Sequence, residues 1–118
     1  MNKLPPIREH QLQTLLINYL TGHGYYVQRL NAGKYPMGEG RNRRFVQGVA
    51  VGTPDIIAFK DIHGSVDLMF IEVKVPGNKP TLLQTIKMQE LEEHGAKCYV
   101  IHSLEELEEK MGGGKNDK

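Results

Sequence analysis

The sequence predicts a single α/β domain whose mixed central sheet is flanked by helices. Three observations support this prediction. The chain has 118 residues, 39% of them hydrophobic, which is enough for one core. Two apolar runs, residues 56–59 and 68–75, flank a short polar turn containing Gly64, which is typical of a β-hairpin. A helical pattern separates the hairpin from the apolar run 97–101, and a strand–helix–strand order favours parallel pairing.

The first predicted element is a helix from about Pro5 to Thr21. Proline suits the first turn, and Gly22 or Gly24 can end the helix. Its apolar residues have the spacing of one amphipathic stripe: Leu12, Leu15, Leu16, Tyr19 and Leu20. Glu9 borders this stripe. An acid in the first turn can simply favour the helix dipole.

Residues 25–30 read as a strand, and we expect a long irregular segment from Asn31 to Gly52. Cations concentrate from Arg29 to Arg44, with a single acid, Glu39, among them. The cations are Arg29, Lys34, Arg41, Arg43 and Arg44. Clustered cations among glycines and aromatic residues suit contact with DNA phosphates, although a flexible solvated loop has the same composition. Arg43 and Arg44 can alternatively belong to a short strand leading into Phe45.

The predicted hairpin brings two acids together at its open end. A turn centred between His63 and Gly64 pairs Phe59 with Leu68 and Ile57 with Phe70. The same register sets Asp55 opposite Glu72. Like charges facing each other across strands are destabilising, and a divalent cation between them removes the repulsion. Lys74 follows two residues later and therefore shares the face of Glu72.

The remaining elements follow from capping signals. Thr81 to His94 reads as a helix that ends before Gly95, and Thr81 with Gln84 forms a capping box. Residues 97–101 are the next strand. A second capping box at Ser103 opens a short acidic helix to about Met111. We expect the domain to cover residues 1–111 and the tail 112–118 to be disordered.

These motifs resemble those of a known nuclease superfamily. Pro54-Asp55 followed by Glu72-Val73-Lys74 is similar to the PD-(D/E)XK signature. Together with Gly52-Thr53 and the later Gln84, the pattern resembles the VRR-NUC (virus-type replication-repair nuclease) branch, roughly over residues 9–103. The resemblance implies a restriction-endonuclease-like fold and metal-dependent cleavage of DNA.

The resemblance also implies roles for individual residues. Glu9, Asp55 and Glu72 become metal ligands, with the backbone carbonyl of Val73 as a further one. Carboxylates select Mg²⁺ or Mn²⁺ over zinc. Lys74 becomes the residue that activates water, and Gln84 assists the site. The capping box explains Gln84 equally well, and both roles can hold together.

The resemblance further implies that the substrate is branched DNA, including four-way (Holliday) junctions, in replication, repair or recombination. A homodimer would supply the two cuts that a symmetric junction requires. The alternatives are a non-catalytic DNA-binding module of the same fold, or a nuclease directed at single strands or RNA. Cleavage assays on a panel of DNA and RNA substrates would distinguish these alternatives.

Composition excludes several other classes. Cys98 is the only cysteine, so no internal disulfide can form, and a cytoplasmic setting is expected. The five histidines show no zinc spacing. No apolar run approaches the ~20 residues of a membrane span, and residues 1–6 lack a signal-peptide core. The net charge of +1 is uninformative, but the separation of basic and acidic segments favours a phosphate-binding face.

Overall fold

The computed structural model of the chain describes residues 5–112. In these residues it contains helices, strands and one short 3₁₀ turn. In chain order they are α1 (Glu9–Gly22), β1 (Tyr26–Arg29), β2 (Lys34–Met37), the 3₁₀ turn (Gly40–Asn42), β3 (Arg44–Gln47), β4 (Ile56–Ile62), β5 (Ser65–Val73), α2 (Leu82–Glu93), β6 (Lys97–Ile101) and α3 (Leu104–Lys110).

A four-stranded mixed sheet organises the domain, in the order β1-β4-β5-β6. β4 pairs with β1 and β5 in antiparallel fashion, whereas β5 and β6 run parallel. The parallel pair is connected through α2, as a crossover requires. The predicted α/β fold with a mixed sheet and flanking helices is therefore confirmed.

The core lies where α1 and α3 cover one face of this sheet. α1 packs against β1, β4, β5 and α3. The fully buried side chains include Leu12, Leu16, Leu20, Ile56, Ala58, Ile71, Val73, Ile101 and Leu107. The leucines are the stripe expected from sequence, except that Leu15 remains 44% exposed. α2 contacts β6, where the Cys98 thiol lies 3.6 Å from the carbonyl oxygen of Met88.

The central hairpin has the predicted register. Phe59 pairs with Leu68 and Ile57 with Phe70, around a turn at His63 and Gly64. Both turn residues have positive φ, 54° and 89°, and the Asp61 carboxylate accepts a hydrogen bond from the Gly64 N–H. This backbone geometry matches the twist of the flanking strands and so holds the register.

The prediction of a long irregular segment between Asn31 and Gly52 is wrong. β2 and β3 form a separate antiparallel two-stranded sheet, which we call the arm (residues 34–47). Pro36 and neighbouring glycines hid the pattern, because a proline usually argues against a central strand. A two-stranded ribbon has no central strand, so Pro36 is accommodated opposite Phe45. Arg44 belongs to β3, as the alternative interpretation allowed.

The helix boundaries differ slightly from those predicted. α1 starts at Glu9 rather than Pro5. Arg8 has extended backbone angles and is the N-cap residue, and its N–H donates to the Gln11 side chain. Thr81 and Ser103 lie outside their helices as N-caps, as the capping signals indicate. Most of the predicted disordered tail, residues 113–118, lies outside the described residues. Within residues 5–112, none of the helices has the length and apolar character to cross a membrane.

Candidate active site

The two acids predicted to face each other meet at the open end of the β4–β5 hairpin. Asp55 directly precedes β4, and Glu72 is the penultimate residue of β5. The Val73 N–H donates a 2.7 Å hydrogen bond to Asp55 Oδ2. The Asp55 carbonyl accepts a second 2.7 Å bond from the Leu30 N–H. Asp55 is therefore held by both neighbouring strands.

Glu72 is a buried charged side chain with an unpaired oxygen. It is only 1% exposed, in a part of the molecule where its neighbours Ile71 and Val73 are core residues. Its Oε1 has no hydrogen-bond partner within the described residues. A buried polar atom without a partner costs on the order of 1–3 kcal/mol. Such a cost is typical of a site that a ligand completes.

Lys74 lies beside Glu72. Its Nζ is 3.6 Å from Glu72 Oε2, and the lysine side chain is 13% exposed. Its backbone N–H donates to the carbonyl of Ile101, which extends the β5–β6 pairing by one residue. The predicted convergence of Asp55, Glu72 and Lys74 is thus present in the geometry.

The proximity of the acids changes their protonation. Burial, and then the charge of Asp55, raise the pKa of Glu72 to about 7, although Lys74 acts in the opposite direction. Burial also raises the pKa of Asp55, and the Val73 N–H partly offsets this. Near neutral pH, the Glu72 carboxyl is therefore partly protonated, and a metal cation could take the place of that proton.

Glu9 influences this pair from the start of α1. It is an exposed residue, and its negative charge helps to raise the pKa of both Asp55 and Glu72. However, no three His, Cys, Asp or Glu side chains between residues 5 and 112 approach closely enough to hold a metal ion. Direct ligation by Glu9 therefore stays a prediction, as does ligation by the Val73 carbonyl.

Gln84 has the structural role that the capping box indicates. Its Oε1 accepts a hydrogen bond from the Thr81 N–H, and its own N–H donates to Thr81 Oγ1. The start of α2 nevertheless lies next to the Gly52-Thr53-Pro54 segment. Gly52 has φ +95°, and a Cβ there would lie 3.0 Å from the Leu83 side chain. A role for Gln84 in the site remains a prediction.

The predicted DNA-contacting cations fall into two groups. Arg29 is half-buried and ties β1 to α1, because its guanidinium donates to Gln13 Oε1 at 2.8 Å and to Thr14 Oγ1 at 3.4 Å. Gln13, which lies one helical turn after Glu9 and is the weaker sequence candidate for the same place in the site, accepts this hydrogen bond. The other four cations, Lys34, Arg41, Arg43 and Arg44, are exposed on the arm. Within residues 5–112 no ion pair involves any of them.

The chain connections join the arm to the acidic pair. β1 ends at Arg29, Leu30 bonds to Asp55, and the arm lies between these two points in the sequence. Gly48 lies where the strands cross at the base of the arm, since a Cβ there would overlap the carbonyl oxygen of Asn31. The arm is therefore inserted in the chain between two segments that meet at Asp55.

The donor set fits a hard divalent cation. Two carboxylates converge, and one buried carboxylate oxygen lacks a partner. Mg²⁺ typically uses one or two protein carboxylates and keeps several waters, so the pair is sufficient. Protein zinc sites are built mostly from histidine nitrogen and cysteine sulfur, which this pair does not supply.

A mixed α/β domain with an acid pair and a lysine at one end of a central hairpin has the architecture of a nuclease-type domain. The VRR-NUC domain model matches residues 7–105. The chain therefore belongs to the VRR-NUC domain family, whose members are generally nucleases.

A solved structure described as a VRR_NUC domain has the same fold. It is 21% identical, with a TM-score of 0.63, and the match covers 91% of this chain and 97% of that one. No curated protein sequence matches the chain.

The raised pKa of Glu72 predicts a specific pH dependence of stability. The folded state holds the proton more tightly than the unfolded state, whose glutamate pKa is about 4.3. Without divalent cations, this residue's contribution to the free energy of unfolding should therefore fall as pH rises from about 4.5 to 7. The expected loss is on the order of 1–3 kcal/mol.

Chemical denaturation at pH 5 and pH 8 in chelator measures this effect. The Glu72→Gln variant should lose less stability between the two pH values than the wild type. Glu93→Gln, which alters an exposed glutamate of α2, should behave like the wild type. An identical pH dependence in all three proteins would show that Glu72 does not titrate in this range.

Proposed function

We propose that this protein is a metal-dependent endonuclease that hydrolyses phosphodiester bonds in DNA. One observation carries the proposal: a buried glutamate with an unpaired oxygen, coupled to a second carboxylate, lies 3.6 Å from a lysine ammonium. Burying such a group lowers the stability of the fold, so its presence in the core indicates a functional requirement. Membership of the VRR-NUC family supports the same chemistry.

Asp55 and Glu72 would hold Mg²⁺ or Mn²⁺, and Glu9 would bind it through water or directly. When bound, such an ion polarises the phosphodiester and lowers the pKa of water. The Val73 N–H keeps the Asp55 carboxylate oriented, because it already donates to Oδ2. Burial of Glu72 keeps bulk water away from its carboxylate.

Lys74 acts on the reacting phosphate in this proposal. Its ammonium orients the attacking water and stabilises the negative charge that develops on the phosphate oxygens. Water forms the new bond to phosphorus, the phosphorus–oxygen bond to the leaving nucleotide breaks, and the leaving oxygen takes up a proton. Gln84 caps the start of α2, and Gly52 lets α2 approach the segment that precedes Asp55 closely.

The arm would hold the DNA backbone next to the acids. Lys34, Arg41, Arg43 and Arg44 supply phosphate contacts, and Arg29 lies at the point where the arm leaves β1. Phe45 is 68% exposed on β3, so its ring is available to stack on an unpaired base. Phosphate contacts and stacking recognise backbone and shape rather than sequence, which favours branched DNA.

We propose that the substrate is a four-way junction and that the enzyme is a homodimer. A two-fold dimer presents two equivalent sites to the two symmetric strands of a junction. Leu82, Leu83 and Ile86 are 76%, 49% and 51% exposed at the start of α2. Exposed apolar side chains of this size favour a protein interface.

A substrate panel tests the function. Four-way junction, flap, duplex, single-stranded DNA and RNA are each incubated with Mg²⁺, Mn²⁺ or chelator. We expect cleavage of branched DNA only with a divalent cation. Binding without cleavage in every condition would support a DNA-binding module instead, and cleavage confined to single strands or RNA would change the substrate class.

Replacing Lys74 by Ala should reduce cleavage by a factor of about 10²–10³, the effect of losing one group that stabilises transition-state charge. Folding should stay close to wild type because Lys74 lies outside the hydrophobic core cluster, and DNA affinity should too because the four arm cations remain. Single-turnover cleavage with Mg²⁺ and fluorescence anisotropy in chelator measure the two effects. Lys87→Ala, which removes a half-buried helix lysine paired with Glu90, is the control. Undiminished cleavage by Lys74→Ala would refute the assignment.

Replacing the arm cations should weaken DNA binding through lost phosphate contacts. The slope of log K against log salt should shrink by about 1 for Arg44→Gln and by about 2 when Arg43→Gln is added. Anisotropy over a range of salt concentrations measures this slope. Lys87→Gln should leave it unchanged, and an equal reduction in that control would mean that the arm has no special role.

Sedimentation velocity at micromolar concentration should give the mass of two chains. Ile86→Glu should produce monomers, because a charge would be buried in the proposed interface. Tyr26→Glu, at a 59% exposed position of β1, is the matched control and should remain dimeric. A monomeric wild-type protein would count against junction resolution by a dimer.

A further inference from the structure

A polar cavity lies at the opposite end of the domain from the acids. It has a volume of about 380 Å³ and is formed by the C-terminal ends of α1 and α3 and by the turn end of the β4–β5 hairpin. Its polar and aromatic lining includes Tyr19, His23, Tyr25, Lys60, Asp67, Lys97, Tyr99 and Lys110. We call it the lysine cavity.

The lysine cavity has an excess of positive charge. Asp67 is the acid among the lining residues, and its Oδ1 accepts from Lys97 Nζ at 2.9 Å while its Oδ2 accepts from the Tyr25 hydroxyl at 2.9 Å. Asp67 and Lys97 therefore neutralise each other. Lys60 and Lys110 have no carboxylate within ion-pair distance in the part of the chain that the structure describes.

The position of Lys60 is well defined. Its Nζ donates to the carbonyl of His23 at 2.9 Å and lies 4.6 Å from the centre of the Tyr25 ring. A carbonyl and an aromatic face carry no net charge, so neither forms an ion pair with this ammonium. It also retains donor capacity, because an ammonium group has three N–H donors. Lys60 can therefore hydrogen-bond an anion that enters the cavity.

Two rings at the rim provide a stacking surface. The Tyr19 and His23 rings lie 4.1 Å apart between centroids, and the His23 Nδ1 contacts the Tyr19 carbonyl at 2.8 Å. His23 is exposed, so another planar ring can contact it from solvent. Nucleic acid bases stack on aromatic side chains in this way.

This cavity is separate from the candidate active site. Glu9 begins α1, and His23 directly follows its end. At 1.5 Å per residue, the fourteen steps between them span about 21 Å. No residue proposed for cation binding or hydrolysis lines the cavity. Its charge and its rings consequently require another explanation.

We propose that the lysine cavity binds a nucleoside monophosphate, with the phosphate near Lys60 and Lys110 and the base against the Tyr19–His23 ring pair. The unpaired lysines supply the charge for a phosphate, and the volume accommodates a ligand of this size. The nucleotide can be free in solution or can be the terminal unit of a nucleic acid strand. Both sources present the same phosphate and base.

Calorimetric titration of the full chain in chelator tests the proposal. Deoxyadenosine monophosphate should bind at least about tenfold more tightly than deoxyadenosine or inorganic phosphate, because each of those lacks half of the contacts. The double substitution Lys60→Gln/Lys110→Gln should weaken binding by about tenfold or more. Asp67→Asn should strengthen it, because the acid of the lining is then neutral.

Controls separate binding from folding. Lys87→Gln, on the distant α2, should bind the nucleotide as the wild type does. Lys110→Gln alone should weaken binding even if Lys60→Gln disturbs the end of α1, since Lys110 is exposed. Tyr19→Leu should reduce nucleotide affinity but leave phosphate affinity unchanged. Melting curves establish that each variant is folded.

The two sources are distinguished by competition. A 5′-phosphorylated single-stranded oligonucleotide that displaces the nucleotide, while its unphosphorylated copy does not, identifies a strand terminus as the ligand. Displacement by neither identifies the free nucleotide. Equal affinities for nucleotide and nucleoside, or equal weakening by Lys87→Gln, would overturn the proposal. No cleavage occurs in these assays, so their outcome is independent of the proposed nuclease activity.

Discussion

The burial of Glu72 beside Asp55, which is unfavourable, is the main constraint that the rest of the structure has to satisfy. β5 is a central strand, and its end carries a glutamate where the pattern of its neighbours would suit an apolar residue. Two acids in one partly dry site repel each other and lose hydration together. The pair persists because the rest of the hairpin, with Ile56, Ala58, Met69 and Ile71 in the core, holds it in place. Stability is thus given up locally at the acid pair that we propose as the active site.

The connections around the pair show how a small domain concentrates its functional groups. Leu30 and Val73 both donate backbone hydrogen bonds to Asp55, so strands on either side position it. The arm occupies the chain between these strands and presents exposed cations without packing against the central sheet or the helices. The acids and the arm cations are therefore linked through the chain, although their segments pack separately.

The two ends of the sheet carry opposite charge character. The open end of the hairpin holds the acids and Lys74, whereas the turn end holds the lysine cavity. α1 spans both, with Glu9 at one end and His23 just beyond the other. A rigid helix of this kind keeps the two sites at a fixed separation, so one nucleic acid strand could contact both only by following the length of α1.

The sequence by itself determined the local and periodic features. The register of the β4–β5 hairpin follows from one tight turn at His63 and Gly64, and this register alone brings residue 55 to residue 72. Capping residues likewise identified α2 and α3. By contrast, the arm was missed because a two-stranded ribbon tolerates Pro36 and many glycines, which mask strand periodicity.

Only the tertiary structure decided how deeply Glu72 is buried, that its Oε1 lacks a partner, that Arg29 binds α1 through Gln13, and that Lys60, Lys97 and Lys110 share a cavity. Burial and long-range proximity depend on how distant segments pack, and no pattern within a single segment records that packing.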